Sequence, residues 1–431
     1  MESLPQELLI EIFQHLSIID LVNLSKLNRN FREVIETTPK LKYFTLTFDK
    51  KGKTQSEKAK RFAELTVHHY SSRIHQQVLF ICGINITNVN FIGSSVTYAQ
   101  IANILRLTPN ARQIKFENCS TWPEVVRQLP ELKNNSLYIQ LIESSSCILD
   151  IFLRSQVNAL SLVNYSEEYG TGIRGFLGSQ PHLKSLNCKG PKILDTFYAM
   201  GNSYSENYKY LPFRLKILVL KEISWNPIYA DLLLPNCRSL TYIELIDIMN
   251  INEEFEEFIN KCLQLEEFHL QNCYFSIIAP VNVKKLGLRG FVGQAKYIKK
   301  MKKLKVLKIS NSSSIDYDFR TNQELEQVEV TGVSVYNSFS MPYVKKLVMN
   351  EIKKVPETLF KEPLSKIEEI HINNCGFCTD QILRELAISG KNLQNLTVTN
   401  GNVNREVLRN TRRILGNLKN FTTKNLIFDE E

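Results

Sequence analysis

Four groups of residues in this chain have types and spacings that bear on chemistry. Gly170-Thr171-Gly172-Ile173-Arg174-Gly175 has the spacing of a turn that lays backbone N–H groups on a dinucleotide pyrophosphate. Asp195 stands about twenty residues on, where a ribose-binding acid belongs. The preceding apolar strand pattern ends near Leu162, too early for a tight strand-to-helix phosphate turn, so a glycine-rich connecting turn is expected. Cys375-Gly376-Phe377-Cys378 is a lone C-x-x-C with no second ligand pair nearby, as a structural zinc site needs, and no thioredoxin-like context. His68, His69 and His75 cluster without carboxylate or thiol companions, which predicts a loop or an exposed face. Lys296, Lys299, Lys300, Lys302, Lys303, Lys305 and Lys308 form the densest basic run. Such a run can hold phosphates or an acidic peptide, but Tyr297 is its one aromatic, so base stacking has little support. A solvated surface is expected there. No Ser/His/Asp or paired-carboxylate constellation stands out. The expectation is a protein without catalytic residues, metal or cofactor.

The elements that hold these residues repeat. The unit is apolar-x-x-apolar-x-apolar, three times followed by Asn-Cys: Ala111/Ile114/Phe116 before Asn118-Cys119, Leu265/Phe268/Leu270 before Asn272-Cys273, and Ile367/Ile370/Ile372 before Asn374-Cys375. Further copies include Val157/Leu160/Leu162, Leu183/Leu186/Cys188, Leu215/Leu218/Leu220, Leu240/Ile243/Leu245 and Val283/Leu286/Leu288. Others are Leu304/Leu307/Ile309, Leu325/Val328/Val330, Val344/Leu347/Met349 and Leu393/Leu396/Val398, with Leu418/Phe421 last. Weaker copies fall at Ile86/Val89/Phe91 and near Leu137/Ile139. A period of roughly 18 to 26 residues is that of leucine-rich repeats. Each repeat supplies one short parallel strand whose alternate residues point inward, and stacked neighbours bury what one repeat cannot. The Asn or Cys after the strand is expected to point inward, with Asn bonding the freed backbone of the turn.

The fold class is therefore an α/β solenoid with a parallel concave sheet. Glu253–Ile259 leaves room for a convex helix, whereas the repeats between Val283 and Val344, at roughly 20 residues, leave room only for short or 3₁₀ turns. The Leu183 to Leu215 spacer, with Tyr198, Tyr204, Tyr208 and Tyr210, reads as a protruding loop. Lys50 to Lys60 reads as a flexible loop. Outward strand positions largely alternate in sign between adjacent strands, as register pairs or as a recognition surface for a mixed-charge peptide: Glu266/Glu267, Lys284/Lys285, Lys305/Lys308, Glu326/Glu329, Lys345/Lys346, Glu368/Glu369. Strands about 4.8 Å apart let such positions pair.

Composition sets outer limits. The 431 residues carry a formal charge of +9, which permits but does not argue for a nucleic-acid partner. No apolar run reaches the roughly 18 residues of a membrane span; Val78-Leu79-Phe80-Ile81-Cys82 is a strand-sized run. Nine cysteines without framework spacing, and no evident secretory signal, point to reduced thiols in cytoplasm or nucleus.

Residues 1–40 read as three short helices. Ser3 and Gln6 form a capping-box start with Pro5 in the first turn, and Asp20 and Asn28 lie near the next two starts. The apolar surface of the first helix (Leu8, Leu9, Ile12, Phe13, Leu16) is wider than one stripe needs, so part of it should meet another surface. The order Leu4-Pro5, Glu7, Leu8-Leu9, Ile12-Phe13, Leu16, Asp20-Leu21 and Phe31 resembles an F-box. With the repeats, the chain is similar to the F-box and leucine-rich-repeat substrate receptors. That resemblance implies a non-catalytic subunit of a Skp-cullin-F-box ubiquitin ligase. Its F-box would dock a Skp-type adaptor, and through it a cullin, by Leu4, Pro5, Leu8, Leu9, Ile12, Phe13, Leu16 and Leu21. The repeats would bind a target protein. The expected organisation is an F-box at 1–40, a connecting segment with an irregular first repeat at 41–85, and the solenoid at 86–431. The alternative is a ubiquitin-independent leucine-rich-repeat scaffold.

Overall fold

The structure is a computed structural model of the chain. It describes residues 4–37, 44–51, 53–58, 63–70, 73–94, 96–120, 137–164, 172–191, 194, 214–273, 282–290, 295–312, 318–376 and 378–428. The chain divides into two compact units, Met1–Leu215 and Lys216–Glu431.

The first unit opens with α1 (Gln6–Phe13), α2 (Ile18–Ser25) and α3 (Arg29–Thr37). The helix starts follow from local hydrogen bonding. Ser17 Oγ accepts the Asp20 N–H at 3.1 Å, and Asp20 Oδ2 accepts the Ser17 N–H at 3.3 Å, a reciprocal capping box. Asn28 Oδ1 accepts the Phe31 N–H at 2.7 Å. The expected box at Ser3 involves a residue outside those described; α1 starts after Pro5 with no side-chain cap.

The sheet of this unit begins earlier than the repeat pattern indicates. Strand β1 (Phe44–Phe48) pairs antiparallel with β2 (Thr54–Lys58) and parallel with β3 (Ala63–Val67). Parallel pairing continues through β4 (Ile86–Ile92), β5 (Gln113–Glu117), β6 (Leu137–Ile142), β7 (Val157–Val163) and β8 (Ser185–Lys189). The stretch expected as a flexible loop, Lys50 to Lys60, thus contains β2. Asp49 Oδ1 accepts the N–H groups of Lys51 and Lys53 at 2.9 and 2.7 Å, and this closes a turn that sends the chain back. The polar strand then covers an edge that would otherwise invite another chain. Val78–Cys82 is not a strand. It lies in α4 (Arg73–Cys82), with Phe80 exposed and its four neighbours in the run buried.

The second unit is wholly parallel among the described residues. Its strands are β9 (Ile217–Lys221), β10 (Tyr242–Ile246), β11 (Glu267–Gln271), β12 (Lys285–Arg289) and β13 (Val306–Ser310). They continue as β14 (Gln327–Thr331), β15 (Lys346–Asn350), β16 (Glu369–Gly376), β17 (Asn395–Gly401) and β18 (Asn420–Lys424). The expected helix after β10 spans Glu253–Lys261, where Asn252 accepts the Phe255 N–H at 3.3 Å. The expected short turns also hold: the connection from β12 to β13 carries a 3₁₀ turn, Ala295–Lys300. All four tyrosines of the long spacer lie outside the described residues.

Each repeat from β4 to β18 carries one left-handed residue two positions after its second inward side chain, with φ from 44° to 124°. Asn is the commonest occupant, because its short side chain tolerates this conformation. Asn118, Asn272 and Asn374 are exposed, so the expected inward asparagine is corrected: it sets the turn, and the cysteine beside it points in. The amide of this residue donates to the last carbonyl of the next strand, as from Asn118 to Ile142 at 2.9 Å and from Asn272 to Arg289 at 2.8 Å. At Gly290 glycine is needed for a second reason, since a Cβ would meet Asn272 Oδ1 at 2.1 Å.

Candidate functional site

The three amino-terminal helices close on themselves through one side of α1. Leu9, Phe13, Leu21, Val22, Phe31, Val34 and Ile35 are buried, and the Phe13 and Phe31 rings meet edge-to-face at 5.8 Å. The other side of α1 stays open. Leu8 and Ile12, one turn apart, are 47 % and 41 % exposed. Pro5 is exposed, and Leu4 and Leu16 are half-buried. The eight residues assigned by resemblance therefore separate: Leu9, Phe13 and Leu21 face inward, and Pro5, Leu8 and Ile12 face out.

Apolar surface beside these helices escaped sequence reasoning. Leu27 is 69 % exposed, Phe80 62 % and Ile84 58 %. The Arg32 guanidinium lies 4.9 Å over the Phe80 ring, and Lys26 Nζ donates to Gln77 Oε1 at 2.8 Å. A groove of about 670 Å³ runs here, lined by residues that include Ser25, Lys26, Arg32, Gln77, Phe80 and Leu107. The available signal was helical periodicity around Phe80, which a five-residue apolar run hides.

The other candidate groups disperse. His75 is fully buried and stacked on Phe48 at 4.0 Å, which corrects the expected exposed cluster; His69 is exposed, and His68 Nδ1 lies 3.1 Å from the Ile92 carbonyl. Among the described residues no group of histidine, cysteine or carboxylate side chains is arranged to hold a metal. The helix Gly172–Gly178 begins well after β7 ends, and Asp195 and Gly170 lie outside the described residues. The basic run spreads over different surfaces: Lys299 pairs with Asp318 at 3.2 Å beside the 3₁₀ turn, and Lys308 pairs with Glu329 at 2.9 Å on the sheet.

All nine cysteines are free and buried. The inward thiols recur in one role: Cys119 donates to the Phe91 carbonyl at 3.4 Å, Cys273 to Leu245 at 3.7 Å and Cys375 to Met349 at 3.5 Å, each in the preceding repeat. Cys378 turns instead to the Lys353 carbonyl at 3.2 Å, so the C-x-x-C thiols point to separate acceptors. Burial pushes Cys273 and Cys375 to about 11 and Cys82 to about 12. Thiolate is then scarce at neutral pH. Native protein at pH 8 is expected to resist alkylation by iodoacetamide, with nine sites labelled after denaturation, as counted by intact mass; rapid labelling of Cys375 in the native state would refute the packing role.

The alternating charges on the exposed sheet face do pair. Lys284 meets Glu266 and Lys285 meets Glu267, both at 2.6 Å; Lys345 meets Glu326 at 3.1 Å and Lys346 meets Glu369 at 3.0 Å. His371, first, and Lys346 then hold Glu369 below the usual carboxylate range. Solvent screens such pairs, which contribute roughly 0.2–1 kcal/mol each. Lys345→Glu with Lys346→Glu is expected to lower the melting temperature by a few degrees, and Glu326→Lys with Glu369→Lys to restore it. Absence of that rescue in a thermal double-mutant cycle removes the register role.

The family model for the F-box domain matches residues 1–43. This segment is an F-box domain. The F-box precedes a leucine-rich-repeat solenoid, built from the repeated anchors and parallel strands described above. No curated protein sequence matches the chain. Among solved structures it is similar to the internalin InlF from Listeria monocytogenes, at 13 % identity over 69 % of this chain and 88 % of that one, with a TM-score of 0.35. It is also similar to TLR13 from a TLR13–ssRNA13 complex, at 12 % identity over 89 % of this chain and 77 % of that one, also with a TM-score of 0.35. No helix among the described residues is long and apolar enough to cross a membrane.

Proposed function

We propose that this chain is the substrate-recognition subunit of a Skp-cullin-F-box ubiquitin ligase. The observation that carries the reading is an F-box whose own core is closed by Leu9, Phe13 and Phe31 yet leaves Leu8 and Ile12 uncovered. Those two side chains, with Pro5 and the half-buried Leu4 and Leu16, form the surface for a Skp-type adaptor, and a cullin joins through the adaptor. Leu9, Phe13 and Leu21 serve docking indirectly, by holding α1 in place.

The solenoid presents a target protein. The chain needs no catalytic residue for this role. Tethering raises the target's effective concentration beside a ubiquitin-loaded enzyme, which is catalysis by proximity. Nine buried free cysteines support a reducing compartment, cytoplasm or nucleus.

The test is co-purification. Folded full-length chain is expected to retain a Skp-type adaptor and a cullin, and the assembly to build ubiquitin chains with E1 and E2 present. A folded chain that retains no adaptor overturns the reading in favour of a ubiquitin-independent scaffold.

A further inference from the structure

We propose that a notch above Gly287 is a binding site for an acidic side chain, an aspartate or glutamate carboxylate, of the target protein. Gly287 is the central outward position of β12, and it carries no side chain. Its neighbours in the sheet are fixed by register. Lys285 and Arg289 flank it on its own strand, with His269 of β11 and Lys308 of β13 opposite. Arg289, Lys308 and the His269 imidazole line an opening one side chain wide, with Lys285 just outside it. The opening has a volume of about 210 Å³, and its rim includes Tyr242, Glu244, Gln271 and Ser310.

The carboxylates nearby already have donors. Glu267 takes Lys285 at 2.6 Å, Glu329 takes Lys308 at 2.9 Å, and Glu244 accepts the Tyr242 hydroxyl at 3.2 Å. Arg289 differs. Its register partners are Gln271 and Ser310, both uncharged, and among the described residues its guanidinium has no carboxylate partner. It is exposed at the lip of the notch. A guanidinium presents a planar fork of N–H donors matched to a carboxylate. The ring of His269 leans over Gly287, its Nδ1 2.4 Å from the position a Cβ would take. A side chain at 287 would therefore displace that ring and fill the space that an incoming carboxylate would use.

This site deepens the receptor reading and rests on it for the origin of the bound chain. The assay contains no adaptor, so failure of the notch and failure of adaptor docking are read separately. Three fluorescein-labelled 12-residue peptides of one sequence carry Glu/Asp, Gln/Asn or phosphoserine at matched positions, and anisotropy reports binding to the full chain at 0.15 M salt. The Glu/Asp peptide is expected to bind at least about tenfold more tightly than the Gln/Asn peptide. Arg289→Ala and Arg289→Gln should each erase that difference without changing the melting temperature. Lys302→Ala, an exposed lysine outside the notch, should leave it intact. Equal binding of the acidic and amide peptides overturns the proposal. So does an unchanged preference in both Arg289 variants, equal loss in Lys302→Ala, or binding of the phosphoserine peptide alone.

Discussion

Leu8→Asp combined with Ile12→Asp is expected to abolish retention of the proposed Skp-type adaptor and to leave the chain folded. Both side chains stand in solvent in the free protein, so a carboxylate there costs the fold little. At a docked interface the same change removes two apolar contacts and forces two charges out of water. Each apolar contact is worth about 1.5–3 kcal/mol, so the pair lowers affinity by about a thousandfold or more. Leu9→Asp combined with Phe13→Asp is expected to lose the adaptor as well, for a different reason. Both side chains are 0 % exposed, and the Phe13 ring packs on Phe31, so charging them is expected to melt the three helices. Circular dichroism separates the two cases: helix signal survives in the first double variant and falls in the second. Undiminished adaptor capture by the first would falsify docking through this face.

Phe116→Ala is the substitution expected to cost the solenoid most. The ring is fully buried, stacked on Phe91 at 4.8 Å and edge-on to Phe152 at 6.2 Å, so it joins two neighbouring layers of the core. Removing a buried phenyl group costs about 3–5 kcal/mol. For a unit of this size, that is a fall in melting temperature of about 10 °C. The adjacent residue provides the control. Lys115 points to the other face of the same strand and pairs with Glu117 at 2.6 Å across the surface. Lys115→Ala is expected to change stability by less than about 0.5 kcal/mol. Equal losses at the two positions in thermal denaturation would contradict the assignment of the two faces.

Features governed by a strict period were legible in the sequence. Inward residues two apart gave the strands, because a parallel strand has no other way to bury one face. The Glu and Lys alternation gave the ion pairs, because register follows once the apolar anchors align. Features set by contacts between distant residues were not legible. The polar segment Thr54–Lys58 has no apolar signal, and only the turn at Asp49 and the presence of β1 make it a strand. His75 looks like a surface histidine until Phe48 and Tyr70 are placed beside it. How the eight residues assigned by resemblance divide between core and surface was not legible, since Leu8 and Leu9 are adjacent in sequence and face opposite surroundings. The notch at Gly287 carries no motif; it exists only because register sets Arg289 and Lys308 around a missing side chain.

The left-handed residue at or near the end of each strand also governs how a polypeptide can lie on the exposed face. Most strands are five residues long, a track of roughly 16 Å. A bound segment parallel to one strand soon runs off either end. A longer segment must travel crosswise, meeting a fresh repeat every ~4.8 Å while its own residues advance ~3.3 Å. The two rulers do not coincide, so about two of every three ligand residues align with a repeat. Ligands that engage several repeats should therefore show interrupted, not continuous, sequence requirements.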